Sequence, residues 1–161
     1  MADTFPDEGL DVILGVFPRG GSIAANLYVG VFTSSNGTTS VPGASATIAS
    51  MGSGYAEVST SAGQWTTYAR QSIASTTGGW AAPGAQTIWS VTGRGVVGSQ
   101  VSFPAPSAAY APTNPMQGFF LADASTSGHA IFYSNWSDTT AIASLAIGDV
   151  IKVTPTFGFG N

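Results

Sequence analysis

The 161-residue chain contains no cysteine. Disulfide frameworks, thiolate metal sites and cysteine nucleophiles are excluded, and no redox compartment can be read from it. Charge is scarce as well: Asp, Glu, Lys and Arg make up 7% of the residues, against about 25% in an ordinary soluble domain. The one histidine is His129; an imidazole metal site usually recruits a second His or a Cys, and neither exists here. No apolar run approaches the roughly 20 residues that a membrane-spanning helix needs. The acidic opening MADTFPDEG lacks the basic start and long apolar stretch of a secretory leader.

What fills the gap is Ser, Thr, Gly and Pro around a hydrophobic fraction of 43%. The length suits one domain with its own core. The net charge of -4 is localised: Asp3, Asp7, Glu8 and Asp11 lie in the first eleven residues. Beyond them Glu57, Asp123, Asp138 and Asp149 balance Arg19, Arg70, Arg94 and Lys152, so the body is neutral. Four scattered cations cannot track a phosphate backbone, and direct nucleic-acid binding is not expected. A neutral, hydroxyl-rich exterior has little repulsion to keep copies apart. It suits either a hydrated monomer or a surface covered by copies of itself or a larger assembly, and charge depletion favours the second.

Leu10, Ile13, Leu14 and Phe17 stand at i, i+3, i+4 and i+7, the apolar stripe of a short amphipathic helix. Thr4 or Asp7 can cap it, Pro6 suits its first turn, and Pro18 with Gly20-Gly21 ends it. Residues 1–22 therefore read as an N-terminal arm, which could pack on its own domain or dock on a neighbour. Residues 23–161 read as a single antiparallel β-sandwich or jelly-roll-like domain, with many short strands between Gly/Pro-rich turns. Strands are expected at Leu27–Thr33, Tyr55–Thr60, Thr67–Ser75, Thr87–Val91 and Gly95–Phe103, the last two separated by Gly93. A short helical turn is expected near Ala46–Met51, and an extended connection over Pro104–Pro115. Gln117–Ala124 and Gly128–Trp136 form a hairpin through Ser125–Gly128. In Asp149–Phe157, Val150, Lys152 and Thr154 alternate with Ile151, Val153 and Pro155.

Little of this supports catalysis. His129, Ser127 and Asp123 hold the residue types of an acyl-transfer triad, but a hairpin turn accounts for all three. Paired carboxylates for glycoside hydrolysis would have to come from Glu57, Asp123, Asp138 and Asp149, and Asp138, beside Thr139-Thr140, reads more simply as a turn or helix cap at the end of a strand. Calcium ligation lacks a DxDxD pattern. Gly93 to Gly98 fits GxGxxG as letters, yet it leads into a β-branched run rather than a helix. The aromatic residues, 11% of the chain, belong mainly to a core or to subunit contacts. Trp80 and Trp136 are the candidates for stacking on a glycan. No catalytic residue, cofactor or metal site is expected.

Taken in order, LDVIL, NLYVGVFT, TYARQSI, VSFP, GFFLAD, SDTTAI and GDVIKVTPTF resemble small structural proteins of tailed bacteriophages. The resemblance implies a non-enzymatic virion component assembled in the bacterial cytoplasm, foremost a capsid decoration (cement) protein on the outer head lattice. Its implied partners are copies of itself, as a homo-oligomer such as a trimer, and the major capsid protein or other virion proteins, without membrane or direct nucleic-acid contact. The alternative it implies is a minor tail or fibre-associated component with a receptor- or glycan-binding role. Leu10, Ile13, Leu14 and Phe17 are then the expected assembly contacts, with Arg19, Arg70 and Arg94 as pairing points.

Overall fold

The structure, a computed structural model, describes residues 3–16, 24–36, 40–58, 65–88, 91–136 and 141–160. In chain order the elements are β1 (Asp3–Thr4), α1 (Asp7–Val16), β2 (Asn26–Ser34), β3 (Tyr55–Glu57), β4 (Gln71–Ala74) and β5 (Gly84–Ile88). They continue with β6 (Val91–Val97), β7 (Val101–Ser102), β8 (Met116–Ala122), β9 (Ala130–Asn135), β10 (Lys152–Val153) and β11 (Thr156–Gly160). The fold is mainly β with one short N-terminal helix, and every strand pairing among the described residues is antiparallel.

The principal sheet runs β1-β9-β8-β2-β3, with β4 on β2 beside β3. β8 and β9 are buried along their whole length, as continuous apolar runs between two covered faces should be. One face carries Leu27, Val29, Val31, Phe119, Leu121 and Phe132 against Trp65, Tyr68, Phe103, Tyr110 and the β7–β10 ribbon. Tyr68 and Phe103 stack at 5.8 Å, with Trp65 tilted against both. The opposite face carries Phe32, Phe120, Ala122, Ala130 and Tyr133 beneath Val41, Ala46, Ile48 and Met51 of the β2–β3 connection. The layering is sandwich-like.

Two glycines make that second face possible. Gly30 is the register partner of Phe120, and Gly118 that of Phe32. A Cβ on Gly30 would lie 2.2 Å from the Phe120 ring, and one on Gly118 would lie 2.1 Å from the Ser134 carbonyl. Each ring thus lies over the glycine opposite, which protects backbone that a glycine would otherwise leave bare.

Several expectations need correction. Ala46–Met51 forms turns rather than helix: Thr47 and Ser50 exchange backbone hydrogen bonds, and Thr47 Oγ1 accepts a further one from Ser50 N. Hydroxyl-bearing side chains compete in this way with helical bonding. Gly93 is not a separator; it lies inside β6, between Gln86 of β5 and Gly160 of β11. β5 and β6 pair from Gly84↔Gly95 to Ile88↔Val91, and Gly84, Gly95 and Gly158 form a row across a three-stranded sheet. The last expected strand is broken at Thr154-Pro155 into β10 on β7 and β11 on β6, where proline has no N–H for a ladder. Its alternation holds up to the break: Ile151, Val153 and Pro155 are buried, while Val150, Lys152 and Thr154 are exposed.

α1 also departs from its expected stripe. Ile13 packs on the core, whereas Leu10 and Leu14 are 40% and 57% exposed. The contact face centres on Gly9, where a Cβ would meet the Ile131 carbonyl at 2.4 Å. Gly9 stands in the first turn of α1, and its lack of a side chain allows the helix to lie against the β9 backbone. Glu8 Oε1 accepts the Ala130 N–H, and β1 pairs with Tyr133 and Ser134 further along. Together they cover an edge that would otherwise invite another strand. Phe17 and Arg19 lie outside the described residues.

Candidate functional site

Three of the charges that the sequence scatters, Glu57, Arg70 and Asp123, converge around the β8–β9 hairpin. Its tip closes on Asp123 and His129. Asp123 Oδ1 accepts the His129 backbone N–H at 2.7 Å, and Oδ2 lies 2.8 Å from His129 Nδ1. Ser127 (φ 53°) and Gly128 (φ 76°) take the left-handed backbone that so tight a return requires.

Arg70, just before β4, anchors this tip to the sheet. Its Nη1 donates to the Ala124 and Ser127 carbonyls at 2.9 and 2.8 Å. Its Nε and Nη2 grip both oxygens of Glu57 at 2.8 and 2.7 Å, the two-pronged geometry suited to a guanidinium. The guanidinium lies 5.2 Å from the centroid of the Phe120 ring, a cation–π contact. Tyr68 completes the chain of contacts. Its hydroxyl donates to Glu57 Oε1 at 2.9 Å and accepts the Val31 N–H at 3.0 Å. Val31 falls between the stretches of β2 paired to β3 and β4, so Tyr68 fills a gap in the ladder.

Burial works against the Arg70 charge, but hydrogen bonding and attraction to Glu57 more than offset it, so its pKa lies above the ordinary value. Burial chiefly, then the Glu57 carboxylate, push the Tyr68 phenol well up, which keeps it protonated. Burial likewise raises Tyr133, whose hydroxyl has no hydrogen-bond partner among the described residues. His129 is raised by its hydrogen bond to Asp123 and by attraction to Asp123, with a further contribution from Glu8.

A depression of about 530 Å³ lies beside this network, lined by Glu57, Tyr68, Arg70 and the hairpin residues Ser125 to Ser127. Its polar groups are largely engaged with one another. His129 has Asp123 on Nδ1, as a triad would require, but among the described residues no hydroxyl is bonded to its other ring nitrogen. No group of three or more His, Asp or Glu able to hold a metal occurs among the described residues. The arrangement locks a hairpin and a sheet edge in place.

Arg70, expected to pair with another molecule, is a correction: its side chain is 5% exposed and held by Glu57 and two carbonyls. Charge pairing across strands hides it, and the only signal in the sequence is a lone base and a lone acid on neighbouring expected strands. Glu57 and Tyr68, its partners, were not expected as a unit. Arg94 is exposed and donates to the Pro83 carbonyl at 3.2 Å. Trp80 and Trp136 are not brought together. Trp80 lines a groove with Leu27 near the start of β2. Trp136 sits by Met116, the partner of Thr33 near the end of β2, with its indole N–H donating to the Met116 carbonyl. The sequence matches no known protein-family model, and no curated protein is significantly similar to it.

Proposed function

We propose that the chain is a non-enzymatic structural component of a tailed-phage particle, foremost a decoration protein that binds the outer head lattice and stabilises it. The observation that carries this reading is the presentation of α1. A helix pinned by Gly9, Glu8 and the β1 pairing holds Leu10 and Leu14 in solvent. A flexible arm would lose entropy on docking; a pinned one has little left to lose. The neutral body, scarce in charge, and the ordered strand motifs that resemble phage structural proteins support the same reading.

Covering the two leucines contributes on the order of 2 kcal/mol per copy. This is weak for one contact and effective when many copies sit on one lattice. The test is co-sedimentation of purified chain with heads that lack it. Wild type should pellet with heads, and Leu10→Asp/Leu14→Asp should stay in the supernatant while melting at the same temperature. Wild type that binds tails but not heads would favour the tail- or fibre-associated alternative, and binding to neither would overturn the proposal.

A further inference from the structure

The outward face of α1 carries more than its leucines. With successive residues turned by about 100°, Asp7, Leu10, Asp11 and Leu14 fall within an arc of roughly 100°, and all four are exposed. Gly9 and Ile13 lie on the far side, against β9 and the core. Within the arc the residue types separate. Asp7 and Asp11 share one flank, Leu10 and Leu14 the other, and the members of each pair stand one turn, roughly 6 Å, apart. The face is two parallel strips, one acidic and one apolar. Two of the three acids on the helix have a local reason to be there. Asp7 and Glu8 stand in the first turn, where negative charge suits the helix dipole, and Glu8 Oε1 also accepts the Ala130 N–H. Asp11 has neither reason. It stands a turn further in, where Asp is a weak helix former. Neither Asp7 nor Asp11 joins an ion pair among the described residues, and the last turn of α1 holds no base to offset them. The Ala44 carbonyl accepts the Asp7 N–H at 2.7 Å, which fixes the start of the acidic strip on the body.

We infer that α1 docks on a different protein, at a surface where an apolar strip runs beside a row of Lys or Arg, so that Leu10 and Leu14 are covered while Asp7 and Asp11 meet the bases. Charge selects this occupant. Phosphates of a nucleic acid or of an anionic lipid surface would be repelled by the acids. A second copy offers no such row: among the described residues its exposed bases are Arg94 in β6 and Lys152 in β10, on separate sheets, and Arg94 already donates to the Pro83 carbonyl. A basic, partly apolar protein surface satisfies both strips at once. The pairing acids are thus this chain's and the bases its partner's. Because the acids flank the leucines on one side only, they also fix which way the helix lies. Such flanking pairs govern encounter rate and register more than total affinity.

This rests on the proposed docking of α1 and names the chemistry of what it meets. The purified full chain is co-sedimented with heads and, separately, with tails that lack it, in NaCl from about 50 mM to about 500 mM, a range over which exposed pairs become screened. Wild type should bind about tenfold more weakly at the high end. Asp7→Asn/Asp11→Asn keeps the leucines; it should bind about tenfold more weakly than wild type at low salt and equal it at high salt. Asp7→Lys/Asp11→Lys should bind weakest at low salt and more strongly as salt rises, a reversal of sign that misfolding cannot produce. Wild-type binding that ignores salt, or a neutralised variant that equals wild type at low salt, overturns the inference and leaves head binding standing. The same salt pattern on tails instead of heads supports the inference while moving the role to its tail-associated alternative. Binding to neither overturns both.

Discussion

The principal sheet and the three-stranded sheet β11-β6-β5 use glycine in opposite ways. In the first, the rings of Phe120 and Phe32 lie over Gly30 and Gly118, so a neighbour's side chain covers each glycine, although a Cβ on Gly118 would also strike the Ser134 carbonyl. In the second, Gly84, Gly95 and Gly158 lie opposite one another, and a Cβ on Gly158 would strike the Arg94 carbonyl at 2.4 Å. There backbone meets backbone, and Val96 and Val97 are only half-buried. Glycine supports side-chain packing in one region and replaces it in the other. Global stability should therefore reside in β2, β8 and β9, while the smaller sheet opens locally.

Breaking the first region should have the largest effect. Phe120→Ala removes a fully buried ring beneath Arg70 and should cost about 4 kcal/mol in chemical denaturation. Paired glycine substitutions sharpen the contrast. Gly118→Ala should lower global stability by about 3 kcal/mol. Gly158→Ala, with a comparable backbone clash, should leave the global midpoint nearly unchanged and speed amide exchange in β6 and β11 alone. Equal losses for the two would contradict the division.

Glu57→Gln probes the network that ties the hairpin to the strong sheet. It leaves Arg70 largely buried with its charge uncompensated and should cost about 2 kcal/mol, below the full penalty for a buried pair because Glu57 is partly exposed. The smallest effect belongs to the hairpin tip. His129 titrates above its usual value because of Asp123. Its pairing therefore stabilises the fold below about pH 6.5 and is lost as pH rises through the raised folded value. The side chain is 59% exposed, so the change should stay below about 1 kcal/mol. It should vanish in His129→Asn when unfolding is compared at pH 5.5 and 8.5.

The same contrast explains what could be read from the sequence. β2 and the β8–β9 hairpin are legible because a continuous apolar run and a Ser/Gly turn are local signals. The alternation of Val150 to Pro155 is legible for the same reason. Glycine is where reading fails, since one letter marks a turn, a seat for a ring or a backbone contact. Gly93 looks like punctuation and lies inside a strand. Gly9 stands outside the Leu10–Phe17 stripe and is where the helix packs, with Leu10 and Leu14 turned outward. The Glu57–Arg70–Tyr68 network joins two separate segments and ties them to a third, the β8–β9 hairpin tip, and no local pattern announces such a union.

Particles disrupted to release their DNA, separated into heads and tails and quantified by mass spectrometry, test the proposed role most directly. The account predicts the chain in many copies on heads. Its absence from both fractions would contradict it.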